Sequence, residues 1–364
     1  MPITVPRMGY IHIPIKAMLE HVGLEVIVPP LCSRRTLSLG TQHSPESACL
    51  PLKINLGNYL EAREIGADTI LMAGGLGPCR FGYYAQVQRE ILYDLGIDMK
   101  MVVLEPPDTS FSDLMYDVRT LANGKSWPTI IKAVQLAWYK ARAIDLAEIK
   151  LQQIRPREKS QGGADRIFDK AVVEIEQVDN RNDIYAAAHR AMADMGELPQ
   201  KTEFQPVKIA VVGEIYTILE PFVNLDMERH LGRMGAEVSR SVYLSEWIND
   251  HIFRGIIPIK SNKRLRKLAK PYLNHFVGGH GWETVGGTVD YAQQGFDGVI
   301  QLAPLTCMPE IVAQTILPRV SKDHGIPVMS IYVDEQTGKA GLVTRLEAFV
   351  DLIYRQKYAQ TGVM

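Results

Sequence analysis

The sequence predicts an α/β protein built from two doubly wound, Rossmann-like (flavodoxin-like) parallel-sheet domains with a helical segment between them. Two observations predict this class. Short apolar runs alternate with segments of helical periodicity towards both ends of the chain, and the middle is polar and helical. The 364 residues also exceed what one ordinary core uses. We therefore expect a first α/β domain over residues 1–110, a helical middle segment over 111–204 and a second α/β domain over 205–364.

The first domain is predicted from apolar runs that end at glycine or proline. Gly23 stops a helix, Pro29 and Pro30 end the next strand, and Ser44 with Pro45 supplies a cap and a first helical position. The predicted strands cover 3–6, 24–28, 69–72 and 99–104, and the predicted helices cover 13–21, 44–66 and 81–95. This alternation indicates a parallel sheet with helices on both faces.

The second domain repeats the alternation after a helical middle. We expect helices over 145–155 and 184–195 and an exposed connection over 157–163. The strands predicted for the second sheet cover 207–213, 238–242, 298–302 and 328–333, with helices over 226–234, 284–294, 309–323 and 342–354. Ligands of such sheets bind at the carboxyl ends of the strands, so function is expected in the loops that follow them.

Composition excludes several classes of protein. The 40 Lys and Arg residues balance 41 Asp and Glu residues, which excludes a strongly basic nucleic-acid binder and an acidic disordered tail. No apolar run is long enough to predict a membrane helix. The first residues lack the basic-then-apolar pattern of a secretory signal, so we expect a cytoplasmic protein with reduced thiols.

Three of the four cysteines lie at or near predicted helix starts: Cys49, Cys79 and Cys307. The unpaired N–H groups of a helix N-terminus favour anionic sulfur, and the thiolate is the form that binds metal. Such N–H groups also tune the potential of an iron–sulfur cluster. The turns at Cys79 and Cys307 are expected at the ligand-binding edges of the two sheets, where one metal centre would be held by both domains.

The spacing of the cysteines separates two kinds of metal site. Cys79 follows Cys49 by 30 residues (79−49), and Cys307 follows Cys79 by 228 (307−79). Ordinary zinc ribbons use close pairs and are excluded, whereas separated thiolates suit an iron–sulfur cluster. The alternative is that all four cysteines are small buried apolar residues. Three interpretations of Cys32 stay open: a fourth metal ligand, a spare thiol near the cleft, or a core residue.

Four stretches carry a resemblance to a known family: residues 44–53 (SPESACLPLK), 72–84 (MAGGLGPCRFGYY), 305–310 (LTCMPE) and 332–338 (YVDEQTG). With them, nearly the whole chain resembles the family of 2-hydroxyacyl-CoA dehydratase subunits, benzoyl-CoA reductase subunits and double-cubane-cluster proteins. Within this family the sequence most resembles the stand-alone members labelled CoA protein activase or activase-related.

The resemblance implies a cofactor, a partner and a substrate class. Cys49, Cys79 and Cys307 would hold a [4Fe-4S] cluster between two Rossmann-like domains, with the fourth iron site open to substrate, water or another sulfur. An ATP-hydrolysing activase with its own iron–sulfur cluster would deliver low-potential electrons for reduction of a substrate such as an acyl-CoA. Family members tend to pair, which implies a homodimer or heterodimer. Two linked cubanes need more thiolates than four cysteines supply, which favours a single cubane per subunit.

Three further residues are candidates for chemistry in the cleft. His280 follows two glycines and precedes a helix, and it is a candidate proton or hydrogen-bond donor; the alternative is a tight turn with a capped helix. Glu214 follows a strand end and is a candidate acid or base; the alternative is a helix-capping carboxylate. Arg80 beside Cys79 would neutralise an anionic cluster or bind a substrate carboxylate, or else form a surface ion pair.

One basic patch is a candidate surface for the activase or for CoA phosphates, with a solvated helix face as the alternative. No recognition motif accompanies it, so nucleic acid is not expected. Its residues are Lys260, Lys263, Arg264, Arg266, Lys267 and Lys270.

The leading hypothesis is an oxygen-sensitive [4Fe-4S] protein, a reductase or dehydratase component, that takes electrons from an activase and reduces a small substrate in the interdomain cleft. The alternatives are a 2-hydroxyacyl-CoA dehydratase subunit that needs a related partner chain, a cluster scaffold or maturation protein without turnover, and a thiolate-ligated zinc protein.

Overall fold

The fold is described from a computed structural model of the chain, which describes residues 2–75, 77–104, 119, 122, 124–245 and 261–361. Two expectations fall outside these residues: Lys260 of the basic patch and the beginning of the helical middle segment, 111–118. The chain divides into two compact units, one of residues 1–141 with 277–279 and one of residues 142–276 with 280–364. The boundary lies inside the helical segment, so that segment belongs partly to each unit.

The first unit contains a four-stranded parallel sheet. Its strands are β1 (Pro2–Thr4), β2 (Glu25–Val26), β3 (Thr69–Ala73) and β4 (Lys100–Leu104). Their order is β2-β1-β3-β4, and Ile3 pairs with both Val26 and Thr69. The strand predicted over 24–28 is shorter than expected because only two of its residues pair with β1.

The helices of the first unit are α1 (His12–His21), α2 (Arg34–His43), α3 (Leu50–Glu64) and α4 (Tyr84–Asp94), the last preceded by a 3₁₀ helix, Arg80–Tyr83. Helix α2 is missing from the sequence prediction. Ser33 and Thr36 start it with a reciprocal capping box, and Ser44 ends it. The helix predicted from Ser44 begins instead at Leu50, with Pro51 in its first turn.

The middle of the chain forms three helices: α5 (Trp127–Ile154), α6 (Gly163–Gln177) and α7 (Arg181–Gly196). They include the helices predicted over 145–155 and 184–195. The connection predicted to be exposed over 157–163 is exposed at residues 159–161, but it is buried at Glu158. Glu158 is 1% exposed, and its carboxylate accepts hydrogen bonds from the backbone N–H groups of Gly162 and Ala164.

The second unit contains the second parallel sheet. Its strands are β5 (Val207–Gly213), β6 (Ala236–Arg240), β7 (Gly298–Pro304) and β8 (Val328–Val333), in the order β6-β5-β7-β8. Its remaining described helices are α8 (Ile215–Leu219), α9 (Met227–Arg233), α10 (Ser261–Ala269), α11 (Gly281–Gln293), α12 (Met308–His324) and α13 (Lys339–Thr361). All residues of β7 are buried, as expected for a central parallel strand. The predicted fold class is confirmed.

A buried ion cluster attaches α5 to the edge of the second sheet. Arg240 at the end of β6 pairs with Glu148 of α5 and lies 3.4 Å from Glu228 of α9. Burial raises the pKa of Glu148 to about 7, against the opposing effect of Arg240. Asp145 accepts hydrogen bonds from the backbone N–H groups of Leu244 and Ser245. The second unit therefore includes the C-terminal half of α5 as a structural part of its core.

Among the described residues, none of the helices combines the length and apolar character needed to cross a lipid bilayer.

Candidate functional site

Each sheet places a cysteine-containing turn beside the point where its strand order reverses. In both sheets the chain adds a strand on one side of the first strand and then crosses to the other side. The reversal therefore lies between β1 and β3 in the first unit and between β5 and β7 in the second. Doubly wound sheets bind ligands at the carboxyl ends of these strands. Cys79 lies in the turn after β3, and Cys307 lies in the turn after β7.

Cys49 is the N-cap residue of α3 and has an extended backbone, with φ −71° and ψ 152°. The side chain is buried, and its Sγ shares a hydrogen bond with the hydroxyl of Tyr84, the first residue of α4. The N–H groups at the start of a helix and a phenol hydroxyl both stabilise negative charge on sulfur. The Cys49 sulfur therefore lies at the start of α3 with a phenol hydroxyl beside it.

Cys79 is the N-cap residue of the 3₁₀ helix that continues into α4, and it is half-buried. Gly278 packs against its backbone. A Cβ atom at Gly278 would lie 2.7 Å from the Cys79 nitrogen, and the φ of Gly278 is +83°. Only glycine combines this backbone conformation with so close an approach. Residues 277–279, distant in sequence, thus form a wall of the Cys79 turn inside the first unit.

Two cationic side chains hold the loop that leads to Cys49. The Arg80 guanidinium donates to the Ser47 carbonyl at 2.8 Å, and the Lys53 ammonium donates to the Glu46 carbonyl at 3.1 Å. Arg80 is exposed, whereas Lys53 is 2% exposed. The predicted candidate Arg80 therefore joins the Cys79 turn to the Cys49 loop, and Lys53 is a buried cation that the sequence did not reveal.

Cys32 lies elsewhere in the first unit. The Asn58 side-chain nitrogen is 3.6 Å from Cys32 Sγ. Asn58 lies nine residues beyond Cys49 (58−49), which is about 13 Å along the axis of α3. Cys32 is therefore beside the middle of α3 rather than beside the N-terminus that carries Cys49.

Cys307 is the N-cap residue of α12 and is buried. Thr306, directly before it, has a φ of +69°. The left-handed region costs a β-branched residue on the order of 1–3 kcal/mol, and such strain clusters at functional sites. The strained residue is Thr306, whereas Cys307 itself has an ordinary extended backbone, with φ −72° and ψ 105°.

A buried carboxyl that the sequence analysis missed lies one turn into α12. Glu310 is fully buried, and the Thr284 hydroxyl is 3.0 and 3.1 Å from its two carboxyl oxygens. The Gln301 amide donates to the same carboxyl at 2.9 Å. Burial raises the pKa of Glu310 to about 7, although the hydrogen bonds from Gln301 and Thr284 favour its charged form. This carboxyl can therefore exchange a proton near neutral pH.

The charge of Glu310 also affects its neighbours. The Tyr332 hydroxyl lies 2.8 Å from the Gln314 side chain and 3.4 Å from the Glu310 carbonyl. Burial raises the pKa of Tyr332 to about 12, with further contributions from Glu310 and then Cys307. Cys307, Glu310 and Tyr332 therefore belong to one electrostatic environment at the end of β7.

Glu214 caps α8 at the end of β5. Its two carboxylate oxygens accept hydrogen bonds from the backbone N–H groups of Tyr216 and Thr217, both at 3.0 Å. Burial raises its pKa above the ordinary value. Glu214 is therefore a helix-capping carboxylate, as the alternative interpretation predicted. Its role as an acid or base stays a prediction.

His280 is the N-cap residue of α11, and its carbonyl accepts the Thr284 N–H at 2.8 Å. A tight turn followed by a helix is therefore present, and the role of the imidazole stays a prediction. The basic patch lies on α10 and just beyond it. Arg264 pairs with Asp290 of α11, and the Arg266 guanidinium lies 5.0 Å from the centre of the Trp282 ring. These two arginines support packing of α10 on α11 as well as surface charge.

Within the residues that the structure describes, no three cysteine, histidine, aspartate or glutamate side chains lie close enough together to hold a metal ion. Each of Cys49, Cys79 and Cys307 is the N-cap residue of a helix, and Gly278 lies against the backbone of Cys79. No protein-family model matches the sequence, and no curated protein matches it.

Proposed function

We propose that this protein carries a [4Fe-4S] cluster ligated by Cys49, Cys79 and Cys307. It accepts low-potential electrons from an ATP-hydrolysing activase and passes them to a small substrate, of which an acyl-CoA thioester is the candidate favoured by the family resemblance. One observation carries the proposal. Each of the three cysteines is the N-cap residue of a helix, a position near backbone N–H groups that favour a thiolate, although none of the three side chains forms a cap hydrogen bond.

A cluster held by three cysteines leaves one iron open to a substrate oxygen and supplies electrons at low potential. The chain supplies the rest. Arg80 and Lys53 place positive charge around the Cys49 loop. Glu310 and Glu214, with pKa values raised by burial, are the candidate proton donors, and His280 is a third. Reduction of a carbonyl compound consumes protons as well as electrons. The cations would therefore favour the added electrons, and the proton donors would supply the protons.

The ligands are tested by anaerobic purification of four single variants, Cys32→Ser, Cys49→Ser, Cys79→Ser and Cys307→Ser, followed by iron and sulfide analysis and EPR spectroscopy. The wild-type protein and Cys32→Ser are expected to hold about four iron atoms per chain, and the other three variants to lose most of them. A wild-type protein without iron after anaerobic reconstitution would remove the proposal. Stoichiometric zinc would establish the zinc alternative.

The electron transfer is tested with the reduced protein. Addition of an acyl-CoA should accelerate loss of the reduced-cluster EPR signal, and addition of activase with ATP should restore it. Transfer of the intact cluster to an apo-acceptor, without oxidation by any thioester, would instead identify a scaffold protein.

A further inference from the structure

A cluster of charged side chains with little access to water joins three elements of the second unit. Arg240 at the end of β6 forms an ion pair with Glu148 of α5, and its Nε lies 3.4 Å from Glu228 of α9. The Arg240 side chain is 4% exposed, and those of Glu148 and Glu228 are 14% and 15% exposed. The Arg240 charge also acts on Asp145, a fully buried residue of α5. Water therefore screens these charges only weakly.

The cluster has more acidic than basic groups. Within the described part of the chain, Arg240 is the one cation paired with the three carboxyls of Asp145, Glu148 and Glu228. With all three ionised, the negative charges would exceed the positive ones, and a buried site avoids such an excess by binding a proton. The centre of the Tyr243 ring lies 4.9 Å from the guanidinium carbon of Arg240. Tyr243 adds no charge, because burial raises the pKa of its hydroxyl.

Glu148 is the carboxyl that the contacts leave to take this proton. Asp145 accepts two backbone N–H groups, and Glu228 accepts a hydrogen bond from the Gln152 amide at 2.8 Å in addition to its contact with Arg240. Among the residues that the structure describes, Glu148 has Arg240 alone. Burial raises the pKa of Glu148 to about 7 against the effect of Arg240, and the charges of Glu228 and Asp145 raise it further.

We propose that this cluster is a proton-dependent latch on α5: with a proton on Glu148 it holds residues 142–154 to β6 and α9, and loss of the proton near neutral pH loosens them. These residues belong to the second unit, as do both elements. When the segment opens, Glu148 meets water and regains its ordinary proton affinity, whereas in the closed segment it keeps the proton to a higher pH. The closed state binds more protons, so opening becomes easier as pH rises.

The test is hydrogen–deuterium exchange of the full-length protein at pH 6 to pH 8, with labelling times scaled to the intrinsic exchange rate at each pH. Glu148→Gln is the main variant, because glutamine keeps an acceptor for Arg240 and carries no charge, like the protonated carboxyl. Glu228→Gln removes one of the charges that raise the pKa of Glu148. Glu310→Gln is the matched control, because burial also raises the pKa of Glu310 to about 7, elsewhere in the same unit.

The opening constant of residues 142–154 in the wild type is expected to rise about tenfold from pH 6 to pH 8. This is the rise that follows from a pKa of about 7 in the closed state and the ordinary 4.5 in the open state. The constant should stay level in Glu148→Gln, and its rise should be smaller in Glu228→Gln. Glu310→Gln should keep the tenfold rise, because local opening of α5 leaves the Glu310 carboxyl enclosed.

Three exchange results would overturn the proposal: an opening constant that does not change with pH in the wild type, a tenfold rise that persists in Glu148→Gln, or an equal loss of the rise in Glu310→Gln. The last result would show that these amides exchange only through global unfolding. Failure of Glu148→Gln to fold would also contradict the latch, because its closed state has an uncharged residue 148. None of these outcomes depends on a bound cluster, so the latch and the proposed function fail separately.

Discussion

The buried carboxyl of Glu310 gives a prediction whose size follows from the structure. Burial raises its pKa from an ordinary 4.5 to about 7, and its hydrogen-bond donors, the Thr284 hydroxyl and the Gln301 amide, are neutral. Nearby Glu214 and Glu283 raise the pKa further. The folded protein therefore keeps a proton on Glu310 at pH values where the unfolded chain has already lost it.

The sign of the effect on stability follows from this difference in proton binding. Below the unfolded pKa both states are protonated and Glu310 contributes no pH dependence. As pH rises from there to about 7, the folded state binds more protons than the unfolded state, so the unfolding free energy falls. The raised pKa corresponds to about 3 kcal/mol lost between about pH 4 and about pH 8.

The measurement compares urea unfolding of the wild type and Glu310→Gln across this pH range. Glutamine keeps the shape and the acceptor for Gln301 but cannot ionise. The wild type should therefore lose about 3 kcal/mol more than the variant as pH rises. Glu148, whose pKa burial also raises to about 7, is present in both proteins and cancels. Glu347→Gln on the exposed face of α13 is the control. Parallel pH profiles of the wild type and Glu310→Gln would refute the reasoning.

Two further predictions concern the cysteine turns of the first unit. Tyr84→Phe removes the hydroxyl that hydrogen-bonds to Cys49 Sγ but keeps the ring beside Phe81. It should lower the unfolding free energy by about 1 kcal/mol in urea titrations, and an unchanged value would contradict the hydrogen bond. Gly278→Ala should cost more stability and more iron than Gly96→Ala. Both glycines have positive φ, but only at Gly278 would a Cβ approach another residue, Cys79, within 4 Å. Equal losses would contradict the wall around Cys79.

The sheets could be predicted because their strands are locally distinctive. Residues 207–213 and 298–304 are nearly continuous apolar runs, as buried parallel strands must be. Helix α2 could not be predicted in this way, because Arg34, Arg35 and Thr36 show no apolar face and its stability depends on packing against α3. The predicted start of α3 was wrong because the sequence offers two helix starts close together. Ser44 is followed by Pro45, and Cys49 is followed by Leu50 and Pro51; the helix uses the second.

The candidate site was predictable to the same extent. N-cap positions are local, and the sequence placed the three cysteines at or near helix starts, although the helix predicted from Ser44 put Cys49 inside its second turn. Burial and pKa are tertiary properties. Glu310 has a raised pKa because Thr284 and Gln301, from α11 and β7, enclose it. The burial of Lys53 likewise depends on the surroundings of α3. An acid three residues after Cys307 was the only available signal for Glu310.

The two sheets have the same strand order but opposite chemistry at corresponding positions. In the first unit, arginines follow the strands at the reversal point: Arg7 after β1, with its Nε donating to the Pro29 carbonyl at 2.7 Å, and Arg80 after β3. In the second unit, Glu214 follows β5 and Glu310 lies in the helix after β7. Cations favour added electrons, whereas carboxyls with raised pKa values hold protons. Under the proposed function, variants of the arginines should therefore change the reduction potential, and variants of the two glutamates should change the pH dependence of the reaction.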